Sequence, residues 1–509
     1  MNGAYPDRAR RWLITAPTMV ASTMVAVDIT IANVALPHMQ ATLSASADEV
    51  LWVLTSYIIA SAIATLLSGW LAVRFGRKTI MLISVAGFTA ASVLCGISTS
   101  IGMIVAARIL QGASGAAMVP LSQATLFDIN PPENHARAMA IFALGSMAGP
   151  VLGPTLGGYL TDYVSWRWVF FINLPFGILA FLGIAAFMPD TRPETHARFD
   201  LLGFVAIATT LAAIQLMLDR GERADWFDSS EIRGYAIAAG AAFYVFIVHV
   251  CTTKHGFIRL ELFADRNFTV GSLCSLLIGF VAFAATPLMV VMTQSLLGYT
   301  ALQTGIIGLP RAAGTIASTL LVTRLVKRFE IRVVLMIGIL VTAFSTWCYL
   351  QFDLDVDRPK LMLVNLVQGL GSGLIFVPLS VAVFATLSPR LRSEGAAMYA
   401  LARSFGNSIG ISLLQYNLSR FTIVSQARLV TRVRADDPVF RMARPDFDFS
   451  SQGALVGIAR EIARQASMLG YIGIYTEVLV LTLAMVPLAL LLVPQRRPES
   501  APPVLPAIE

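Results

Sequence analysis

The chain has 509 residues, of which 56% are hydrophobic and 13% are charged. A soluble globular protein carries about 25% charged residues, so this composition argues against a soluble enzyme or a soluble binding module. The net charge of +7 does not indicate nucleic-acid binding, because the Lys and Arg residues lie in short loops with little aromatic interleaving and no basic face.

The apolar residues come in long runs, and the mean hydropathy is +0.72. A bilayer core ~30 Å thick needs about 20 apolar residues per helix. We therefore predict an all-α polytopic membrane protein in contact with the lipid bilayer, and we expect the first run to be a retained helix rather than a signal peptide. Fourteen spans are predicted, near residues 12–36, 49–73, 79–98, 101–126, 137–160, 167–188, 200–218, 233–252, 268–292, 303–325, 332–351, 360–386, 394–421 and 470–493.

Basic residues in the loops support this count. With the N-terminus inside, the inner segments hold 20 Lys and Arg residues and the short outer loops hold 6. Cytoplasmic loops carry such an excess, so we expect an inner (plasma) membrane protein with both termini in the cytoplasm. Residues 422–469 form a long outer loop in this scheme. Its end carries an apolar stripe at helical spacing, Leu455, Ile458 and Ile462, which predicts either an adaptor contact or a helix on the membrane surface.

An internal repeat divides the chain into two halves. RILQGASGAAMVPLS at residues 108–122 corresponds to NLVQGLGSGLIFVPLS at residues 365–380, with one insertion. Parallel repeats are typical of transporters whose halves rock about a site near the bilayer midplane. We predict two six-helix bundles, in 1–190 and in 263–509 (the latter including the 422–469 loop), with two inserted helices in 191–262.

Two charged residues inside the first half are the main candidates for chemistry. Asp28 lies within the first span, where a charge near the bilayer centre costs at least ~2.5–3.5 kcal/mol on insertion scales. Arg108 lies at a similar predicted depth in the fourth span. We hypothesise that Arg108 holds Asp28 ionised in one conformation and that its withdrawal favours the protonated carboxyl in another. A static ion pair is the structural alternative.

Other polar side chains fall inside the spans of both halves. Glu477, in the last span, is a second candidate for proton coupling. Arg311, Arg403 and Glu477 could each bind substrate, relay a proton or make a structural pair. We assign the following residues to a substrate pathway: Gln111, Gln368, Asn365, Arg311 and Arg403.

Small and basic residues mark two segments that are expected to control conformation. The first is a turn between the second and third spans, with a plain basic loop as the alternative reading: Gly69, Arg74, Gly76 and Arg77. The second is a glycine stripe in the fifth span that permits close helix packing, with two prolines that permit bending: Gly145, Gly149, Pro150, Gly153, Pro154 and Gly157.

Motifs for catalysis are missing from the sequence. It has no GxxxxGK[ST] phosphate loop and no HExxH, and no metal-ligand spacing links its four cysteines. We therefore expect no enzyme activity, no metal and no cofactor.

Several segments together resemble the major facilitator superfamily, and more narrowly its fourteen-span drug:proton antiporters of the EmrB/QacA subfamily. They occur in order along nearly the whole chain: VDITIANVALP, GWLAVRFGRK, RILQG, GSMAGPVLGPTLGG, SWRWVFFINLPFG, LDRGERADWFDSSEI, LPRAAGT and RSFGNSIG. The chain departs from the family pattern at Val73, where the turn motif usually has an acid, and at Asn365, where the repeat has Arg108.

The resemblance implies proton-driven export of small hydrophobic or amphipathic toxic compounds, which is multidrug efflux and antibiotic resistance. It also implies a periplasmic membrane-fusion adaptor and an outer-membrane channel as partners. The glycine-rich fifth span favours export. Two alternatives stay open at this point: a proton-coupled uptake symporter for an organic anion, and a membrane receptor that does not transport.

Overall fold

The computed structural model describes residues 5–190, 199–221, 224–253, 259–433, 440, 442, 447 and 450–493. In these residues the chain forms helices and turns without a strand. The helices of the first half and of the inserted pair are α1 (Arg8–Thr42), α2 (Ala47–Phe75), α3 (Arg77–Gly96), α4 (Ile101–Gly115), α5 (Met118–Ile129), α6 (His135–Tyr163), α7 (Trp168–Phe171), α8 (Asn173–Phe187), α9 (Leu201–Gly221) and α10 (Ser230–Thr252).

The second half contains two long helices at its C-terminal end and two π-helical segments near its start, Gly279–Ala284 and Met292–Leu296. Its helices are α11 (Glu261–Ala264), α12 (Arg266–Ile278), α13 (Ala285–Val291), α14 (Ala301–Arg328), α15 (Ile331–Tyr349), α16 (Arg358–Ala385), α17 (Arg392–Val430) and α18 (Gln452–Leu491).

The helices have the length and the apolar surface of membrane-spanning helices. Eleven helices of the described part are long and apolar enough to cross a bilayer. Large apolar side chains point outward along them, with Ile237 72% exposed and Leu179 63% exposed. A soluble protein rarely exposes extended apolar surface, so this is the surface of a multi-pass membrane protein.

Two of the predicted segments are less regular than the sequence indicates. The predicted span 101–126 is interrupted after Gly115, where α4 ends before α5 begins. The predicted span 268–292 contains the first π segment and ends where the second begins. The first π segment starts at Gly279, which packs directly against α17: a Cβ there would collide with the carbonyl oxygen of Arg403. Such π segments occur often at functional sites.

Most of the described residues of the predicted loop 422–469 are helical, which corrects the sequence-based expectation; residues 434–439, 441, 443–446 and 448–449 lie outside the described part of the chain. α17 continues to Val430, and α18 already begins at Gln452, where the Ser451 hydroxyl accepts a hydrogen bond from the backbone N–H of Ala454 at 3.4 Å. At the base of the two extensions, Gly470 and Gly473 of α18 face Thr422 and Phe421 of α17. The stripe of Leu455, Ile458 and Ile462 is therefore part of α18 and not of a separate surface helix.

The two halves share a large hydrophobic core at one end of the bundle, which we call the closed end. There Phe142 of the first half stacks on Phe376 of the second, and Phe127 contacts Phe384, with ring centroids 6.3 and 4.9 Å apart. At the opposite end each half has a core of its own. The structure is thus closed at one end and divided at the other.

The inserted pair α9–α10 packs against both halves. Leu66 of α2 and Leu401 of α17 belong to the same small core as residues of α9 and α10. The Ser412 hydroxyl of α17 donates to the carbonyl of Leu218 at 3.0 Å. Part of the predicted inserted segment, residues 191–198, 222–223 and 254–258, lies outside the described residues.

The glycine stripe of α6 faces α1 along its length. A Cβ on Gly149 would collide with the backbone carbonyl of Ala26, and one on Gly153 would collide with Thr30. The Thr30 hydroxyl donates to the carbonyl of Gly149 at 2.8 Å. Gly145 and Gly157 face the same helix, whereas the side chains of Pro150 and Pro154 lie outside the described part of the chain.

We expect the Gly149→Ala variant to lose about 1–3 kcal/mol of stability, because its methyl group overpacks a backbone contact. Gly158→Ala is the matched control in the same helix, since no atom lies within 4 Å of its Cβ position and Ala is the better helix former. The thermal unfolding midpoint of each purified variant measures the difference. Equal midpoints for the two variants would contradict the close α1–α6 contact.

Candidate functional site

Asp28 and Arg108 form an ion pair inside the first half. Arg108 Nη1 lies 2.6 Å from Asp28 Oδ2, and neither side chain is exposed to solvent. Helix α1 carries the carboxylate and α4 carries the guanidinium. A buried charge persists only when it is paired and hydrogen-bonded, so these two residues require each other in this conformation.

Amide side chains complete the coordination of the carboxylate. Gln111 Nε2 and Asn173 Nδ2 each donate to Asp28 Oδ1 at 2.9 Å. The same two amides donate to the Ser92 hydroxyl, which donates in turn to the carbonyl of Phe170 at 2.9 Å. These five side chains, Asp28, Ser92, Arg108, Gln111 and Asn173, are called the Asp28 cluster below. They come from α1, α3, α4 and α8.

The Arg108 guanidinium is held on several sides. Nε donates to the carbonyl of Val53 in α2 at 3.1 Å, and Nη1 also donates to Gln111 Oε1 at 2.7 Å. The guanidinium carbon Cζ of Arg108 lies 4.3 Å from the centre of the Tyr57 ring, which is a cation–π contact. Nη2 is buried and finds no hydrogen-bond acceptor among the described residues.

This arrangement stabilises the ionised carboxylate. Three groups from Arg108, Gln111 and Asn173 point N–H donors at its two oxygens. A protonated carboxyl would need an acceptor for its own O–H, and these three contacts offer none without rearrangement. Binding of a proton to Asp28 therefore requires the contact with Arg108 or with an amide to change.

A second charged group lies at the closed end, between the halves. Asp128, at the end of α5, forms ion pairs with Arg77 of the α2–α3 turn and with Arg392 Nη1 at the start of α17, the latter at 2.7 Å. Arg77 Nε also donates to the Ser393 hydroxyl at 2.8 Å. One carboxylate of the first half thus joins the predicted turn motif to the second half.

Two glycines of the turn motif permit this contact. Gly76 has φ 88°, a conformation that costs little only without a side chain. A Cβ on Gly69 would come within 2.9 Å of the Glu394 Cα, so α2 and α17 touch there. Arg74 lies in the last turn of α2. Glu394 in turn pairs with Arg259 at 3.4 Å.

His135 secures the segment that carries Asp128. It precedes the predicted fifth span, and its Nε2 lies 3.1 Å from the carbonyl of Phe127 and 3.0 Å from that of Asn130. Burial lowers the pKa of His135, and the positive charge of Arg392 acts in the same direction. A neutral ring that donates from Nε2 satisfies carbonyl groups at the C-terminal end of α5.

Comparison with known proteins places the chain in a family. The family model for the major facilitator superfamily matches residues 18–411. The chain is 30% identical to the multidrug export protein EmrB of Haemophilus influenzae over 463 residues, which cover 90% of this chain and 91% of that protein. It is 31% identical to EmrB of Escherichia coli over 85% of each chain.

The chain belongs to the major facilitator superfamily. It is also 32% identical to the fatty acid resistance protein FarB of Neisseria gonorrhoeae over 79% of each chain. Two solved structures share the fold at 14% identity: a human organic anion transporter, with a TM-score of 0.60 over 93% of this chain and 99% of that one, and the proton:xylose symporter XylE, with a TM-score of 0.59 over 95% and 97%. The predicted membership of this superfamily, and the likeness to EmrB, are confirmed.

The internal repeat corresponds to equivalent contacts in the two halves of this superfamily member. Gly112 of α4 faces the carbonyl of Tyr57 in α2, and Gly369 of α16 faces the carbonyl of Arg311 in α14. The glutamines that precede them differ in surroundings. Gln111 belongs to the Asp28 cluster, whereas Gln368 Oε1 accepts from the Tyr349 hydroxyl at 3.4 Å.

The remaining residues predicted for the substrate pathway lie in the second half. Asn365 is fully buried, and its Nδ2 donates to the carbonyl of Leu361 at 3.0 Å. Arg311 lies close enough to Tyr349 and Tyr475 for its charge to interact with their side chains. Arg403 lies 5.3 Å from the centre of the Phe376 ring, beside the contact that joins the halves.

Glu477 is apart from the Asp28 cluster. It lies between α17 and α18, where Asn417 Nδ2 donates to both of its carboxylate oxygens at 3.0 Å. None of the contacts of the Asp28 cluster includes it. Its assignment to proton coupling stays a prediction, as do the roles of the pathway residues.

Several residues of the site were missed by the sequence reading. Asn173 lies inside SWRWVFFINLPFG, and a polar residue in such an apolar segment is a signal for a buried contact. Asp128 follows the apolar run of α5 and carries the same kind of signal. Tyr349 and Tyr475, stacked with ring centroids 4.6 Å apart, gave no signal, because isolated tyrosines are common in apolar helices.

We expect Arg108→Gln to cost about 3–5 kcal/mol of stability, because it leaves the Asp28 charge buried without its cation. The double variant D28N/R108Q should recover part of that loss, since it removes both charges. Denaturant titration of the wild type, both single variants and the double variant gives the four free energies of unfolding that a double-mutant cycle compares. Additive losses would show that the two side chains do not depend on each other.

Proposed function

We propose that this protein is a proton-driven antiporter that exports small hydrophobic or amphipathic toxic compounds across the inner membrane. The observation that carries the proposal is the Asp28 cluster, in which a buried carboxylate is held by the Arg108 cation and by two amide groups. The similarity to multidrug export proteins over most of the chain supports the substrate class.

Fourteen membrane spans are part of this proposal. Beyond the eleven helices that meet the length and hydropathy requirement, three further segments lie at predicted spans: His135–Tyr163, Arg266–Leu296 and Arg392–Val430. The bias of basic residues orients the closed end, with Arg77 and Arg392, toward the cytoplasm. In that orientation the structure is an outward-facing state.

The transport cycle follows from the two charged sites. In the outward-facing state Asp28 is ionised and held by Arg108. A proton from outside that binds Asp28 removes the attraction for Arg108, so α1 and α4 lose one of the contacts that fix their arrangement. Opening of the closed end then requires Asp128 to release Arg77 and Arg392. Return of the proton to the cytoplasm restores the ion pair.

The proton gradient supplies enough free energy without a cofactor. A membrane potential contributes ~2.3 kcal/mol per charge per 100 mV, and one pH unit contributes ~1.4 kcal/mol. One inward proton can therefore sustain a gradient on the order of a hundredfold for a neutral compound.

We further propose that the outer extensions of α17 and α18 contact a periplasmic adaptor protein, which would lead to an outer-membrane channel. Helices of 39 and 40 residues are about 60 Å long, whereas the bilayer core is ~30 Å thick. Exposed apolar side chains on the projecting part, including Ile423 at 66% and Val456 at 59%, support a protein contact there.

Asp28→Asn is expected to abolish gradient-driven transport, because the amide cannot exchange a proton. In proteoliposomes with an acidic interior, the wild type should accumulate ethidium inside, whereas Asp28→Asn should do so at least ~10-fold more slowly. Asp355→Asn, which removes an exposed carboxyl, is the control.

Retained pH-dependent accumulation in Asp28→Asn would remove Asp28 from the mechanism. The direction of transport separates the alternatives. A proton symporter for an organic anion would move a preloaded anion out of the acidic interior, and a receptor would move neither compound.

Asp128→Asn should loosen the closed end, because two charge-assisted contacts are weakened and each is worth about 1.5–3 kcal/mol. A cysteine at Ala396, which is fully buried there, in a variant without the native cysteines should then react with maleimide ~10-fold or more faster. Asp190→Asn is the control, since its carboxyl is 86% exposed and 3.7 Å from Lys78. Equal labelling rates would exclude Asp128 as a lock.

A further inference from the structure

A cavity of about 500 Å³ lies between α17 and α18, outside the Asp28 cluster. Its size is within the range of sites for drug-sized ligands. On α17 its lining residues follow one face at spacings of three and four. The lining consists of Asn417, Arg420, Phe421, Val424, Ser425, Arg428, Leu469, Gly473 and Glu477.

The contacts between the two helices fix which residues lie at the same level. Asn417 is bonded to Glu477 at the inner level. One turn outward, Gly473 leaves room for the Phe421 ring, which a Cβ at position 473 would approach within 2.6 Å. Because the helices are antiparallel, Leu469 follows beside Val424, and Arg428 marks the outer level.

The cavity therefore changes in character along its length. Its inner end carries the Glu477 carboxylate, its middle is apolar, and its outer end carries the Arg428 guanidinium, with Arg420 between them. Eleven positions of α17 separate the levels of Asn417 and Arg428, which is about 16 Å along the helix axis. Val424 and Leu469 are exposed by 41% and 44%, so the middle of the cavity opens to the surface.

In the described part of the chain, Glu477 forms no ion pair with Arg420 or Arg428, so the charges at the two ends of the cavity do not neutralise each other. The Asn417 amide donates to both oxygens of Glu477 and fixes the carboxylate, but an amide carries no charge. Among the described residues, Arg420 and Arg428 form no ion pair within 4 Å. A fixed carboxylate and two guanidinium groups thus face a cavity whose middle is apolar.

We propose that this cavity binds an amphipathic molecule that carries a cationic nitrogen and an anionic group at opposite ends of an apolar body. The nitrogen pairs with Glu477, the body packs on Phe421, Val424 and Leu469, and the anionic group pairs with Arg428 or Arg420. This deepens the proposed export function by naming a substrate class, and it rests on that function only for the claim that the bound molecule is transported.

Three probes with the same twelve-carbon chain test the charge pattern. They are 12-aminododecanoic acid with both charges, dodecanoic acid with the anion alone and dodecylamine with the cation alone. Equilibrium dialysis against the full-length protein in phosphatidylcholine nanodiscs, without a pH gradient, gives the affinities. The wild type should bind the doubly charged probe about tenfold or more tightly than either other probe.

Matched variants assign each end of the cavity. Glu477→Gln should weaken the doubly charged probe and dodecylamine about tenfold and leave dodecanoic acid unchanged. Arg428→Gln combined with Arg420→Gln should weaken the doubly charged probe and dodecanoic acid and leave dodecylamine unchanged. The control is Arg460→Gln, because Arg460 is exposed on the outer part of α18 and does not line the cavity. This variant should leave the binding of all three probes unchanged.

Equal wild-type affinities for the three probes would overturn the proposal, and this comparison needs no variant to fold. Unchanged binding in variants whose thermal midpoints match the wild type would overturn it as well. Because no gradient is applied, a failure of proton coupling at Asp28 leaves this result unaffected, and the two proposals can fail separately.

A phosphatidylethanolamine headgroup carries the same two charges, but a short linker and not an apolar body separates them. Nanodiscs that contain phosphatidylethanolamine distinguish the two ligands. Retained lipid that 12-aminododecanoic acid displaces, and that both sets of variants lose, would identify the headgroup as the occupant and overturn the proposed apolar spacing between the charges. Probe binding with no retained lipid supports a free amphipathic compound.

Discussion

A charged carboxylate without access to water organises the first half of this transporter. Asp28 can stay ionised there only because Arg108, Gln111 and Asn173 supply donors from two other helices. The cost of an unpaired buried charge therefore constrains the positions of α1, α4 and α8 together. The proposed proton coupling rests on the same dependence, since neutralising the carboxylate would remove its attraction for Arg108.

The two halves share an ancestral pattern but differ in chemistry. Both place a glycine of the repeat against a neighbouring backbone, at Gly112 and Gly369. The first half then adds an acid and an arginine, whereas the second has Asn365 and a pair of stacked tyrosines. The two halves therefore differ in their buried polar groups: the first has an ion pair, and the second has amide and aromatic side chains.

Contacts between the halves are concentrated where the charges of Asp128, Arg77 and Arg392 meet. The turn motif of this chain has Val73 in place of the usual acid, and the carboxylate that holds Arg77 comes from α5 instead. Apolar stacking of Phe142 on Phe376 closes the same end. The proposed transport cycle requires these ion pairs and the shared apolar core to separate.

Sequence alone determined the helical membrane architecture, the repeat and the superfamily, because hydropathy and motif order are local properties of the chain. It also identified Asp28 and Arg108, since a charge within an apolar run stands out wherever it lies. It missed Asn173 and Asp128 as partners, and it read the helical extensions of α17 and α18 as a loop. Only the tertiary structure decided these points, because a hydrogen bond between distant helices and the mutual packing of two moderately apolar segments depend on which surfaces meet in space.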